Sequence, residues 1–145
     1  MRLPAESLSE SELETRKLAG DFARELRAGD VVALEGDLGA GKTVFVRGMA
    51  EGLGADPRAV ASPTFALVHE YACPPPIGRF VHLDLYRLDA DERELEELGL
   101  PEILTGAVTA VEWPRNASPR LLPISHRVGI SRGPDHRRRI ILAAV

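Results

Sequence analysis

Residues Gly36-Asp37-Leu38-Gly39-Ala40-Gly41-Lys42-Thr43 follow the spacing G-x-x-x-x-G-K-[ST], and this run constrains the chain more than any other feature. Glycines at these intervals let successive backbone N–H groups converge on an anion. Lys42 is placed to reach the outer phosphates of a nucleotide, and the Thr43 hydroxyl to ligate Mg²⁺. The apolar residues Val31, Val32, Ala33 and Leu34 precede the run, as in a buried parallel strand. A predicted helix over 42–53 follows, closed by Gly54, and its N-terminus would face the anion. At ordinary glycine frequency the four fixed positions recur by accident in roughly one chain of this length in a few hundred. A strand before the run and a helix after it make a phosphate-binding loop (P-loop) the reading.

Composition narrows what such a loop can serve. A chain of 145 residues, 44% hydrophobic and 28% charged, suits one globular domain. The net charge of −4 provides no global basic field for nucleic acid or anionic lipid, and aromatics at 5% leave few stacking platforms for RNA. No stretch approaches the roughly 20 apolar residues of a membrane span. Residues 1–14 alternate polar and apolar side chains and lack the apolar core of a signal peptide. Cys73 is the sole cysteine, so neither an internal disulfide nor a cysteine zinc cage can form. A cytoplasmic protein is expected. Asn116 is the sole asparagine and Lys17 and Lys42 the two lysines, so the guanine-reading N-K-x-D motif is absent and ATP is favoured over GTP.

Along the chain, 9–28 reads as an amphipathic helix with Ser9 and Glu12 as a capping box and Leu13, Leu18, Phe22 and Leu26 near one face. Extended structure is expected over 60–71, ended by Pro74, Pro75 and Pro76. Strands are expected over 80–85 and 107–111, with an acidic helix, capped by Asp89 and Glu92, running to Leu98 between them. Residues 125–131 and 138–144 read as a hairpin around 133–136. This order predicts an α/β fold, P-loop NTPase-like, with a mostly parallel central sheet flanked by helices, a C-terminal β-hairpin, and one domain over 1–145.

Three further positions are candidates for nucleotide chemistry. Asp84 ends an apolar strand, as a metal-linked carboxylate of a Walker B segment does; the alternative is a solvated strand end or a helix cap. Thr64, in Ser62-Pro63-Thr64-Phe65, is either a switch-like hydroxyl sensing the γ-phosphate or a β-branched residue after a turn. Glu112, before Trp113 and Pro114, ends the third strand. By position alone it reads first as an exposed strand-end glutamate with Trp113 covering the core. The alternative is a carboxylate on the binding edge of an open sheet, holding Mg²⁺ through water or orienting the attacking water. His69, His82, His126 and His136 lack metal-ligand spacing, and His82 alternates with core residues. The Arg137, Arg138, Arg139 run reads as a solvated strand face, with phosphate or RNA binding as the alternative.

Together, Gly-Asp-Leu-Gly-Ala-Gly-Lys-Thr at 36–43, Ser-Pro-Thr-Phe at 62–65, His-Leu-Asp-Leu-Tyr-Arg-Leu at 82–88 and Val-Glu-Trp-Pro at 111–114 resemble the TsaE family, also called YjeE. That family is the bacterial ATPase subunit of the tRNA threonylcarbamoyladenosine machinery. The resemblance runs from about Ser9 to the final hairpin. It implies a weak ATPase that binds ATP and Mg²⁺ and docks on a TsaB–TsaD pair, so that tRNA is met only through the complex. It assigns phosphate and Mg²⁺ roles to Lys42 and Thr43, the Walker B-like acid to Asp84, the switch-like hydroxyl to Thr64 and a metal-linked carboxylate to Glu112. The loop residues Gly36, Asp37, Leu38, Gly39, Ala40 and Gly41 would cradle the phosphates, with Trp113 beside the site. Glu12, Thr15 and Asp135 are the candidates for the adenine end.

The expected function is therefore a Mg²⁺-dependent ATPase serving tRNA modification. Two rivals differ in chemistry: a phosphotransferase with a small acceptor, and a nucleotide-gated binding subunit with incidental hydrolysis.

Overall fold

The computed structural model describes residues 1–37, 39–60, 68–85, 92–114 and 117–145. In chain order the elements are β1 (Ala5–Ser9), α1 (Glu12–Ala23), β2 (Val31–Glu35), α2 (Lys42–Leu53), β3 (Val68–Ala72), β4 (Arg79–Asp84), α3 (Glu92–Glu97), α4 (Leu100–Leu104), β5 (Val108–Glu112), β6 (His126–Arg132) and β7 (Arg138–Ala144). Single 3₁₀ turns lie at Pro57–Ala59 and Pro134–His136.

Among the described residues, seven strands form one mixed sheet in the order β1-β7-β6-β2-β5-β4-β3. Strands β6, β2, β5 and β4 run parallel to one another, whereas β3 pairs with β4, β7 with β6 and β1 with β7 antiparallel. The α/β expectation holds, but the sheet is mixed rather than mostly parallel. The expected C-terminal hairpin is present as β6 and β7, and β6 joins β2 in register from Val32↔His126 to Glu35↔Gly129, so the hairpin extends the sheet. Strand β1 was not expected, although the polar–apolar alternation of 1–14 is the period of a strand with one covered face.

Strand alternation divides the core into two layers. Val32, Leu34, Phe80, Ala110, Val128, Ile130, Ile140 and Leu142 pack with Phe22, Phe45, Val46 and Met49 of α1 and α2. Val31, Val81, Leu83 and Val111 pack with Leu95, Leu100 and Leu104 of α3 and α4.

Helix α1 begins later than expected. Its N-cap is Ser11, whose Oγ accepts from Glu14 N at 3.1 Å, while Glu14 Oε2 accepts from Glu10 N at 2.7 Å. The helix is thus capped by Ser11, with Glu14 reaching back to Glu10 N, and not by Ser9 with Glu12. Helix α1 ends at Ala23 rather than 28, and Leu13 is exposed at 74%. The buried face is Thr15, Ala19, Gly20, Phe22 and Ala23, because α1 meets α2 at backbone distance. A Cβ at Gly48 would lie 2.5 Å from Arg16 O, and one at Gly52 would lie 2.4 Å from Gly20 O. Small residues therefore form the contact, and a leucine on that stripe would hold the helices apart.

Helix α2 and its left-handed Gly54 cap fall where expected. The expected start of the acidic helix at Asp89, and most of the 60–71 stretch, lie outside the described residues; α3 and β3 are their described remainders.

The topology fixes where chemistry can sit. β2, β4, β5 and β6 are parallel, so their C-terminal ends share one sheet edge. β7 starts at that edge and β1 ends there, with Ser9 opposite Arg138 and Arg138 opposite Arg132. The glycine-rich loop leaves β2 at the same edge, which is where open α/β sheets bind ligands.

Candidate functional site

The loop wraps over the edge between β2 and α2. Ala40 N donates to Asp37 O at 3.0 Å, and Gly41 enters α2 at φ 111°, a left-handed conformation suited to glycine. Among the described residues no side chain caps the first turn of α2, which leaves its N–H groups available to an anion. A Cβ at Gly36 would lie 2.4 Å from Ile130 O, so only glycine lets the loop lie this close to β6.

Lys42 is 5% exposed. Its Nζ donates to Gly36 O at 2.7 Å and stands 3.7 Å from the centroid of the Trp113 ring, a cation–π contact. Burial pulls its pKa below the ordinary lysine value, while the negative charges of Glu112, Asp84 and Asp37 oppose that shift. Trp113 has φ 58°, an uncommon conformation for a bulky residue, immediately after β5.

Asp84 and Glu112 are register partners at the ends of β4 and β5. Glu112 is buried at 5% exposure, so the reading of an exposed strand end does not hold. Its Oε2 is 2.6 Å from His82 Nε2, and His82 is fully buried. Thr43 lies in the first turn of α2. Its hydroxyl and the two carboxylates are hard oxygen donors, the chemistry that Mg²⁺ takes. Among the described residues no group of three or more His, Cys, Asp or Glu side chains forms a metal cage. Leu38 and Thr64 lie outside the described residues.

Beside the loop is a cavity of about 230 Å³ lined by Ser9, Ser11, Glu12, Thr15, Gly39, Gly41, Val44, His136 and Arg138. Glu12 and Thr15, two of the three residues named for the adenine end, line it together with Gly39 and Gly41 of the loop. Asp135 does not line it: exposed on the hairpin turn, it pairs with Arg137 at 3.6 Å, and His136 takes the lining position.

Sequence reasoning missed Arg138 and Arg132. Arg138 Nε donates to Ala40 O at 3.0 Å and its guanidinium to His136 O at 3.0 Å, tying the loop to the hairpin turn. Arg132 reaches Gly39 O at 3.5 Å. The solvated-face reading of the arginine run therefore fails at Arg138, although Arg139 does face outward, paired with Glu6 at 3.1 Å. Arg138 shares its side of β7 with the buried Ile140 and Leu142. That period of two was the available signal.

A model of the family described as threonylcarbamoyl adenosine biosynthesis protein TsaE matches residues 9–140. The chain belongs to the TsaE family. The role of that family is in tRNA threonylcarbamoyladenosine biosynthesis. The TsaE protein of Bacillus subtilis is 42% identical over 133 residues, covering 91% of this chain and 80% of its own. That of Aquifex aeolicus is 40% identical over 120 residues, covering 82% and 84%. The crystal structure of Bacillus subtilis YdiB superposes with a TM-score of 0.73 at 32% identity, covering all 100% of this chain and 88% of that one. Among the described residues, no helix of this TsaE-family chain is long and apolar enough to cross a membrane.

Proposed function

We propose that this TsaE-family chain is one P-loop NTPase-like domain that binds and hydrolyses ATP with Mg²⁺. In this reading it acts in the cytoplasm through a TsaB–TsaD pair during threonylcarbamoyladenosine modification of tRNA. The observation that carries the reading is the placement of a buried Lys42, at the loop–α2 junction, beside a register pair of strand-end carboxylates, Asp84 and Glu112.

Residues 36–43 would cradle the phosphates with backbone N–H groups, and Lys42 would leave the Gly36 carbonyl for the outer phosphates. Thr43, Asp84 and Glu112 would hold the metal, directly or through water. When bound, Mg²⁺ supplies charge neutralisation on the β- and γ-phosphates. Water attack on the γ-phosphate needs positioning and electrostatic stabilisation more than a general base. Glu112 would orient that water, and by family resemblance Thr64 would supply the switch-like hydroxyl. The cavity lined by Glu12, Thr15 and His136 adjoins Gly39 and Gly41, so a base and ribose would extend into it from the loop.

The deciding experiment is ATP turnover of the purified chain, alone and with TsaB–TsaD. Stimulation by the pair is expected. A phosphorylated acceptor formed in step with ATP loss would instead make the chain a phosphotransferase. Nucleotide-dependent docking with negligible turnover would make it a gated binding subunit.

A further inference from the structure

His82 sits in the middle of strand β4, fully buried, on the side that it shares with Phe80 and Asp84. Its Nε2 lies 2.6 Å from Glu112 Oε2 on the next strand. An ionised carboxylate only accepts, so Nε2 carries the hydrogen and donates it. Among the described residues the other ring nitrogen, Nδ1, is buried without a hydrogen-bond partner. On the far side, His69 of β3 is its register partner, with ring centroids 6.3 Å apart, and among the described residues His69 Nε2 is also buried without a partner. A histidine kept only for packing leaves Nδ1 as a pure desolvation cost, which an apolar side chain of similar volume avoids. The ring is therefore explained by what Nε2 does.

That contact meets a specific need. Asp84 and Glu112 stand in register on adjacent strands, and like charges so placed repel. Glu112 is buried, so water cannot freely screen or hold it. A short charge-assisted hydrogen bond offsets the desolvation and selects one rotamer. Among the described residues no hydrogen bond engages Glu112 Oε1, which stays available to the site.

We propose that His82 is a positioning residue for Glu112, fixing the orientation from which that carboxylate serves nucleotide hydrolysis. The inference rests on the ATPase reading above. It predicts that loss of His82 acts on turnover through Glu112 and leaves nucleotide binding nearly intact.

The test uses the full chain and steady-state hydrolysis of ATP with Mg²⁺, with thermal unfolding recorded for each variant. The variants are His82→Leu, His82→Gln, Glu112→Gln and the double His82→Leu/Glu112→Gln. Supporting partners of a site ligand typically cost about 10- to 100-fold when removed, so His82→Leu should lower kcat by ~10-fold or more. KM should stay within about threefold, because the phosphate cradle is untouched. Glutamine also carries a donor at its side-chain end, so His82→Gln should recover most of kcat. The double variant should match Glu112→Gln alone within about twofold, since residues that act through one another are not additive.

Wild-type kcat in His82→Leu, or a further loss in the double variant equal to that of His82→Leu alone, overturns the proposal while leaving the ATPase reading standing. Absence of turnover in the wild-type chain, alone and with TsaB–TsaD, overturns both. Full activity of Glu112→Gln removes the role assigned to Glu112 and the positioning proposal with it, but not the ATPase reading. If His82→Leu unfolds early, the comparison of His82→Gln with wild type decides: a kcat within about threefold of wild type supports the hydrogen bond, and a loss as large as that of Glu112→Gln overturns it.

Discussion

Lys42 Nζ stands over the face of Trp113, 3.7 Å from the ring centroid. The same amine is held by Gly36 O, so the lysine expected to bind phosphate rests on its own loop and on an aromatic face. In the proposed reading, nucleotide binding draws it away. Trp113 is the sole tryptophan, so intrinsic tryptophan emission reports the surroundings of this ring. Titration with ATP and Mg²⁺ should give a saturable change in intrinsic fluorescence, absent in Lys42→Ala. A flat titration in the wild-type chain, with binding verified by calorimetry, would show that the contact survives nucleotide.

Lys42→Ala should abolish ATP hydrolysis while leaving the fold intact, because the side chain is needed for charge on the phosphates and not for the core. Circular dichroism and turnover measured on one preparation check both halves. Unchanged turnover would remove the loop from the chemistry.

Arg138→Ala should weaken nucleotide binding by roughly tenfold, about the worth of one charge-assisted hydrogen bond. The guanidinium joins Ala40 O of the loop to His136 O of the hairpin turn. Its loss should loosen both, and hydrogen exchange at 39–41 and 134–137 should rise together. Arg139→Ala, which loses only an exposed pair with Glu6, should leave affinity unchanged.

Gly36→Ala places a methyl 2.4 Å from Ile130 O. Either the loop or β6 must shift, at a cost of about 1–3 kcal/mol. Urea unfolding should show that loss, and nucleotide affinity should fall with it.

Burial lowers the pKa of Lys42 from the ordinary 10.5. Between its folded value and 10.5 the unfolded chain holds more protons at this position, so its contribution to stability rises with pH across that window. Compared with Lys42→Met, the wild-type chain should therefore gain stability as pH climbs toward 10.5. Paired urea titrations from pH 7 to pH 10.5 read the difference, and a wild-type stability that falls or stays constant relative to Lys42→Met as pH rises contradicts the burial argument.

Much of this was legible in one dimension. The loop, helix α2 with its Gly54 stop, and the strands ending at Asp84 and Glu112 follow from local chemistry: glycine spacing, apolar runs and caps act between near neighbours. Strand β1 was also written locally, in the alternation of 1–14, yet a five-residue edge strand forms only because β7 is there to pair with it. The exposure of Leu13 had no local signal. It depends on Gly48 and Gly52 letting α2 come within backbone contact of α1.

The site divides in the same way. Lys42, Thr43, Asp84 and Glu112 carry their chemistry in their side chains and in their positions at element ends, which sequence order displays. Their environment belongs to strand order. β5 lies between β2 and β4, and that arrangement buries Glu112, hands it to His82 and brings Trp113 onto Lys42. Placing β7 beside β6 and β1 carries Arg138 to a loop 98 residues earlier in the chain. Periodicity and spacing are properties of short stretches, so the sequence by itself determined the elements and the reactive groups. Burial, hydrogen bonding and charge pairing depend on what lies across the sheet, and only the tertiary structure decided those.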